Sequence, residues 1–198
     1  MKRRDFAINS VAAASLATLP LASLAQKRKD AVVLGMTLEP TGLDPTAGAA
    51  SAIAEIVQYN VFETLTKVNS DGSVTPLLAE SWEVSPDLKT YTFKLRKGVK
   101  FQNGEPFNAN TVKFSFERAA GEKSTNKDKR TFASMERVGV VDEHTVVVIN
   151  KELNPDFLFL MGQATAILVE PKSADTNATK PVGTGPYKLE SWNKGASV

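Results

Sequence analysis

Tyr91-Thr92-Phe93-Lys94-Leu95-Arg96 is the stretch that decides the fold. Tyr91, Phe93 and Leu95 alternate with Thr92, Lys94 and Arg96, so an extended backbone puts one apolar and one wet face on the same segment. That period predicts a β-strand resting on a core. Just upstream, Trp82 and Val84 read as its partner strand, joined to it by the turn Ser85-Pro86-Asp87. Downstream, Val99 and Phe101 are expected to continue the sheet as far as Asn103-Gly104, a turn pair.

Working outward, Asn108 can cap a helix by accepting backbone N–H bonds from its first turn. Val112, Phe116 and Ala119 give that helix an apolar stripe, and Gly121 ends it. Residues 122–130 read as a solvated charged loop. Val138 to Val141 and Thr145 to Ile149 predict two strands across Asp142-Glu143-His144. Asn154-Pro155 opens a short helix with Phe157, Leu158, Leu160 and Met161 on its face. Ile167 to Val169 predicts a brief strand, 172–180 a polar loop, and Gly183-Thr184-Gly185-Pro186-Tyr187 leads into a final strand ending at Trp192. Toward the N-terminus, Val68 and Val74 flank Asn69-Ser70-Asp71-Gly72, a hairpin signal. From Ser51, Ile53, Ile56, Val57, Asn60 and Val61 fall at helical steps. Ala31 to Leu38 is an apolar, β-branched run read as a buried strand, ended by Glu39-Pro40-Thr41-Gly42 and the short turn Leu43-Asp44-Pro45. Short mixed strands with separated helices argue an α+β arrangement around an α/β core.

The first 25 residues read as an address. Met1-Lys2-Arg3-Arg4 is a basic start, Val11 to Leu24 is apolar and Ala-rich, and Ser23-Leu24-Ala25 offers small residues for cleavage after Ala25. The apolar run is too short for a membrane span, which takes roughly 20 residues. Arg3-Arg4-Asp5-Phe6 also resembles a twin-arginine signal; a general secretory signal that happens to hold two arginines is the alternative. Either route predicts export to the periplasm. The whole chain of 198 residues has net charge +2, and the excess sits in this segment. A neutral body gives no reason to expect nucleic acid as a partner. With no Cys and one His, thiolate chemistry, disulfides and a multi-His zinc site are excluded.

No catalytic constellation is spelled out. There is no G-x-S-x-G elbow, no H-E-x-x-H and no phosphate-cradling G-x-x-x-x-G-K-[ST]. In Gly183-Thr184-Gly185, Pro186 follows at once and lacks the N–H that a phosphate cradle needs. His144, beside Asp142 and Glu143, reads as a surface residue. Glu39 and Asp44 stand near the end of the first predicted strand, where ligands of open α/β sheets bind; turn capping is the competing reading, and the favoured one. Trp82, Phe101, Phe114, Phe116 and Trp192 lie on apolar faces and read as core. Asn177-Ala178-Thr179 is a glycosylation triplet in spelling only. No metal and no cofactor is expected.

Several of these segments together resemble one family. They are Leu43-Asp44-Pro45, Val61-Phe62-Glu63-Thr64-Leu65, Pro76 to Ser85, Tyr91 to Phe101, Gly104 to Phe116 and Gly183 to Tyr187. Their order and spacing, over about residues 31–195, resemble the peptide/nickel family of extracytoplasmic solute-binding proteins of ABC importers. Two departures, Gln102-Asn103-Gly104 where His-Asp-Gly is usual and Ala109-Asn110-Thr111-Val112 where Ala-Glu-Asp-Val is usual, keep the turn and cap physics.

The resemblance implies a mixed α+β and α/β fold, the first lobe of a class II periplasmic-binding-protein-like clamshell with its extra subdomain, the second lobe being absent. Residues 31–62 and 173–198 would form part of the first-lobe core, and 63–172 the extra subdomain. It also implies a non-enzymatic, monomeric protein that captures a small peptide or similar solute and delivers it to ABC permease subunits in the membrane. First-lobe ligand contacts would fall at Gly48, Ala49, Ala50 and Ser51, whose small side chains let a ligand backbone approach, with Glu39 as a further candidate. A helix N-terminus capped by Ser51 is the other reading of that segment. Two rival functions stay open: a chain that binds nothing because it is a gene fragment or half of a split protein, and a secreted hydrolase.

Overall fold

A computed structural model describes residues 32–48 and 50–198. The predicted signal segment 1–25 and the candidate Ala49 lie outside the described residues. Residues 36–198 form one compact unit, to which the following description applies.

The deciding stretch is a strand. β4 (Thr90–Leu95) buries Tyr91, Phe93 and Leu95 and turns Thr92 and Lys94 outward. It pairs antiparallel with β3 (Ala79–Val84), Phe93 facing Trp82, and on its other side with β6 (Thr145–Asn150), Phe93 facing Val146. β6 pairs in turn with β5 (Met135–Asp142), giving a four-stranded sheet of order β3-β4-β6-β5. The turn joining β3 to β4 is closed by Leu88 N–H on Ser85 O and by Ser85 Oγ on Asp87. β5 carries register shifts near both ends; such bulges blunt an exposed edge. A separate hairpin joins β1 (Thr66–Val68) to β2 (Val74–Pro76), with Gly72 at φ +82° in its turn.

The helix predicted from Asn108 is α2 (Ala109–Ala120). Asn108 Oδ1 accepts from the N–H groups of Asn110 and Thr111, and Thr111 Oγ1 accepts from the Asn108 N–H, a full capping box. Val112, Phe116 and Ala119 are buried against the sheet, together with Phe132 of the short helix α3 (Lys129–Ala133) and Phe157 of α4 (Phe157–Leu160). A 3₁₀ turn, Ala164–Ala166, follows.

Two cores result. The larger holds the inner face of the four-stranded sheet, α2, Phe101, Phe107, Phe157, Met161 and Leu168. The smaller holds Leu43, Ile53, Val57, Val61, Phe62, Ile167, Val169 and Ala174, with Phe114, Leu189 and Trp192 half-buried against it. Residues 167–169 are the wall between them: Leu168 enters the larger core while Ile167 and Val169 enter the smaller. That alternation made the segment look like a strand. It is extended and buried, but its backbone is held by Glu63 O and Ser115 Oγ and not by a ladder.

Other expectations need correction for the same reason. Residues 32–38 and 187–192 form no strand, because no ladder partner lies beside either among the described residues. Val99 and Phe101 do not extend the sheet; one isolated bridge, Lys100 to Pro106, stands there, and Phe101 turns into the core. α1 (Ser51–Val57) is shorter than its apolar pattern, since Tyr59 takes φ +61° and its N–H bonds to Phe62 O, which folds Val61 and Phe62 back. Two predicted solvent loops are partly structural. Asn126 is buried with Nδ2 on Thr165 O, and Lys129 and Arg130 are helical. Ser173, Ala174 and Asn177 are buried within 172–180. Of the predicted core aromatics, Phe101 and Phe116 are fully buried, whereas Trp82, Phe114 and Trp192 are half-buried.

Candidate functional site

The segment 39–51 runs along the smaller core, and sequence chemistry explains its path. Leu43 is fully buried, and its N–H bonds to Ala178 O at 2.9 Å. Asp44 then makes the turn that Asp favours: its Oδ1 accepts from the N–H of Thr46 at 2.8 Å and from Thr46 Oγ1 at 2.6 Å. Ala47 N–H bonds back to Asp44 O. Arg118, in the last turn of α2, reaches across to this turn, with Nη2 3.3 Å from Asp44 Oδ2 and Nη1 2.7 Å from Thr46 Oγ1. The same Nη2 donates to Ala174 O at 3.2 Å. Beside this knot lies a concavity of about 440 Å³ that includes Thr46, Ala47, Arg118, Lys123, Thr125 and Asp175.

The predicted contact residues follow the turn. Gly48 is half-buried, and a Cβ there would meet Ile53 Cδ1 at 2.6 Å, so its missing side chain is filled from α1. Ala50 is the N-cap residue of α1 and Ser51 the exposed first helical residue; no side chain caps the helix, so Ser51 is not the cap that sequence suggested. Glu39 is exposed and accepts a hydrogen bond from Trp192 Nε1 at 3.1 Å. The structure thus brings Gly48, Ala50 and Ser51 together on one short path and leaves Glu39 tied to Trp192. Asp44 keeps the turn-capping role and gains an ion pair. His144 is half-buried, its Nε2 4.0 Å from Glu143. Among the described residues no three His, Asp or Glu gather as a metal-binding group.

The Gly183-Thr184-Gly185 loop is a seam. A Cβ on Gly183 would stand 1.9 Å from Val61 O and one on Gly185 2.4 Å from Asn60 O. The glycines are there for space. Gly185 N–H bonds to Val61 O at 2.9 Å and Tyr187 N–H to Asn60 O at 3.0 Å. Gln102 clamps the loop from the other side, its N–H on Gly183 O and its Nε2 on Gly185 O. Nearby, burial pushes the Glu63 carboxyl above its ordinary value, opposed by the Thr184 hydroxyl and the Arg96 guanidinium.

Arg118 and Gln102 were missed by sequence reasoning. A signal for Arg118 existed: Thr111, Ser115 and Arg118 fall at i, i+4 and i+7, a polar row beside the apolar stripe of α2. Thr111 and Ser115 are buried, and Ser115 Oγ accepts from Val169 N–H at 2.9 Å. Gln102 offered no periodic signal.

The profile of the bacterial extracellular solute-binding proteins, family 5 Middle, matches residues 73–198. The glutathione-binding protein GsiB of Escherichia coli K12 is 31% identical over 190 residues, covering 94% of this chain and 37% of its own. Among solved structures, AgaA of A. tumefaciens R10 in complex with agropinic acid superposes with TM-score 0.73 at 30% identity, covering 79% of this chain and 32% of its own. NikZ of Campylobacter jejuni in complex with Ni(L-His) gives TM-score 0.70 at 26% identity, over 80% and 32%. The chain spans about a third of the length of each. The fold shared with them is that of class II periplasmic binding proteins, of which this mixed α/β chain corresponds to part. The chain belongs to the bacterial extracellular solute-binding proteins of family 5.

Proposed function

We propose that this chain is part of the solute-capturing component of an ABC import system, taking up a small peptide or a similar solute outside the cytoplasmic membrane and handing it to permease subunits. The observation that carries the reading is the family match over residues 73–198, joined to 31% identity with a glutathione-binding protein over nearly the whole chain. In this reading the protein binds and releases its solute unchanged, as a monomer. Residues 1–25 act as the export signal, cleaved after Ala25, with the twin-arginine route ahead of the general one. The first-lobe pieces 31–62 and 173–198 hold most of the smaller core, which also takes Ile167 and Val169, and the subdomain 63–172 holds the larger core. The separation of apolar side chains into two clusters supports that division.

Gly48, Ala49, Ala50 and Ser51 are the proposed ligand contacts, and Glu39 a further one. The small residues Ala49, Ala50 and Ser51 suit backbone pairing with an extended ligand. The test is calorimetry and thermal melting of the full-length gene product against dipeptides, glutathione, opines and nickel chelates. A ligand that binds only the native state raises the melting temperature by mass action. A shift with one class, and no loss of that ligand on incubation, is the expected result. Hydrolysis of the ligand overturns the binding-only reading, and no shift with any class overturns solute capture.

A second reading is that residues 32–198 bind nothing by themselves. Its support is that among the described residues 36–38 and 187–192 have no ladder neighbour, and that Leu38 and Tyr187 stand more than half exposed. The same panel applied to the isolated segment 26–198 separates the two.

A further inference from the structure

We propose that Arg118 is the positioning residue of the candidate ligand segment: from the last turn of α2 it locks the Asp44–Thr46 turn and so sets the path of Ala47 and Gly48. This rests on assigning that segment to ligand binding. Among the described residues there are five ion pairs, and in four of them the carboxylate side chain is 40% exposed or more. In the fifth, the Asp44 side chain is only 2% exposed. A carboxylate so far from water persists only when it is paired and hydrogen-bonded. Here both oxygens are engaged, Oδ1 by Thr46 and Oδ2 by Arg118.

The planar guanidinium reaches Asp44, Thr46 and Ala174 from one side chain, and so ties two separate loops to one helix. An ammonium is a point charge and would serve only part of that set. The helix itself does not move easily. Its N-terminus holds a full capping box, Val112 and Phe116 are in the larger core, and Ser115 is bonded to Val169. The position of the turn is therefore referred to the sheet through α2. Ala47 and Gly48 continue directly from Thr46, with Ala47 N–H on Asp44 O and Gly48 closed over Ile53. Loss of the guanidinium leaves a buried carboxylate with one oxygen unmatched, and relief comes from opening the turn.

The test compares full-length wild type, R118M and R118K by amide hydrogen exchange and by calorimetry with reduced glutathione as the probe. R118M is expected to speed exchange at Thr46 and Ala47 by about tenfold or more while the amides of β4 and β6 keep their protection. R118K is expected to fall between. Unchanged exchange over 44–51, or a rise shared equally by β4 and β6, overturns the proposal; the latter is what a purely structural role produces. If R118M does not fold, R118K decides by the same two criteria. In calorimetry R118M is expected to bind glutathione about tenfold more weakly, with part of the affinity recovered in R118K. Wild-type affinity in R118M overturns the positioning role and leaves solute binding intact. Absence of glutathione binding by the wild type counts against the peptide reading alone, and the exchange measurement still decides Arg118.

Discussion

Replacing Gly183 by Ala tests the seam that joins the closing motif to the rest of the unit. The new methyl would lie 1.9 Å from Val61 O, 2.7 Å from Val61 C and 2.9 Å from the Phe62 ring. Two of these neighbours are backbone atoms, so no rotamer change relieves the clash and the segments of the seam must part. Three backbone hydrogen bonds cross there: Gly185 N–H to Val61 O, Tyr187 N–H to Asn60 O and Gln102 N–H to Gly183 O. Each has a net worth of about 0.5–1.5 kcal/mol, so losing the three costs about 1.5–4.5 kcal/mol. Gly72 is the control. It has φ +82°, but a Cβ added there would meet nothing within 4 Å, so its replacement by Ala carries only the left-handed penalty of about 1–2 kcal/mol. Urea unfolding of the two variants, read at the midpoint with the slope held common, compares them directly. A Gly183→Ala protein as stable as, or more stable than, Gly72→Ala would refute the reasoning, since steric exclusion would then matter less than backbone conformation.

Three further outcomes follow from the same geometry. Asn108→Ala removes the acceptor of two first-turn N–H groups and should cost about 1 kcal/mol in urea unfolding, whereas Asn108→Ser should cost less. Glu63→Gln should remove a contribution that favours the fold in acid: the fold raises the Glu63 pKa above 4.5, so the native state binds the proton more tightly than the unfolded chain. The stabilisation linked to that proton is complete below pH 4.5 and is lost as pH rises through the raised value, so the difference in melting temperature between Glu63→Gln and wild type should grow in the variant's favour as pH rises from 4.5 through that value. Asp142→Asn should act in the opposite sense, because the His144 backbone N–H and Thr145 hold that exposed carboxyl below its ordinary range; the variant should lose stability relative to wild type as pH rises through the acid region.

Local pattern was enough wherever a segment answers to its own neighbours. Tyr91 to Leu95 alternates because one face of β4 is buried. Asn108 with Thr111 builds the capping box, and Asn69 to Gly72 turns because its residues tolerate the geometry. Pattern misled where the backbone partner is distant or irregular. Ile167 to Val169 alternates as a strand does, but the alternation answers to two cores and the hydrogen bonds go to Glu63 and Ser115. Gly48 reads as an open approach for a ligand, and a side chain five residues later fills the space. The polar row on α2 marks Arg118, but what it meets is hidden for a related reason. Its partners, Asp44, Thr46 and Ala174, lie in segments more than 50 residues away on either side, and no local periodicity encodes such a meeting.

The two cores differ in membership but share their walls, and that bears on how this part of the molecule can move. α2 sends Phe116 into the larger core and sets Phe114 against the smaller one, and 167–169 divides its side chains between them residue by residue. The Gln102 clamp on Gly183 and Gly185, the Ser115–Val169 bond and the Arg118 knot cross between the same two regions. Tyr59 adds a fourth tie, its hydroxyl 2.7 Å from Gly162 O and its backbone at a costly positive φ. A bend between the cores would have to break these together and would pull apolar side chains from one wall or the other, because packed interiors do not deform continuously. Hinge closure needs a few residues free to change φ and ψ, and these four ties restrain the segments that carry them. These shared ties are why residues 36–198 hold together as one compact unit, and Asp44, Thr46, Ala47 and Gly48 belong to it.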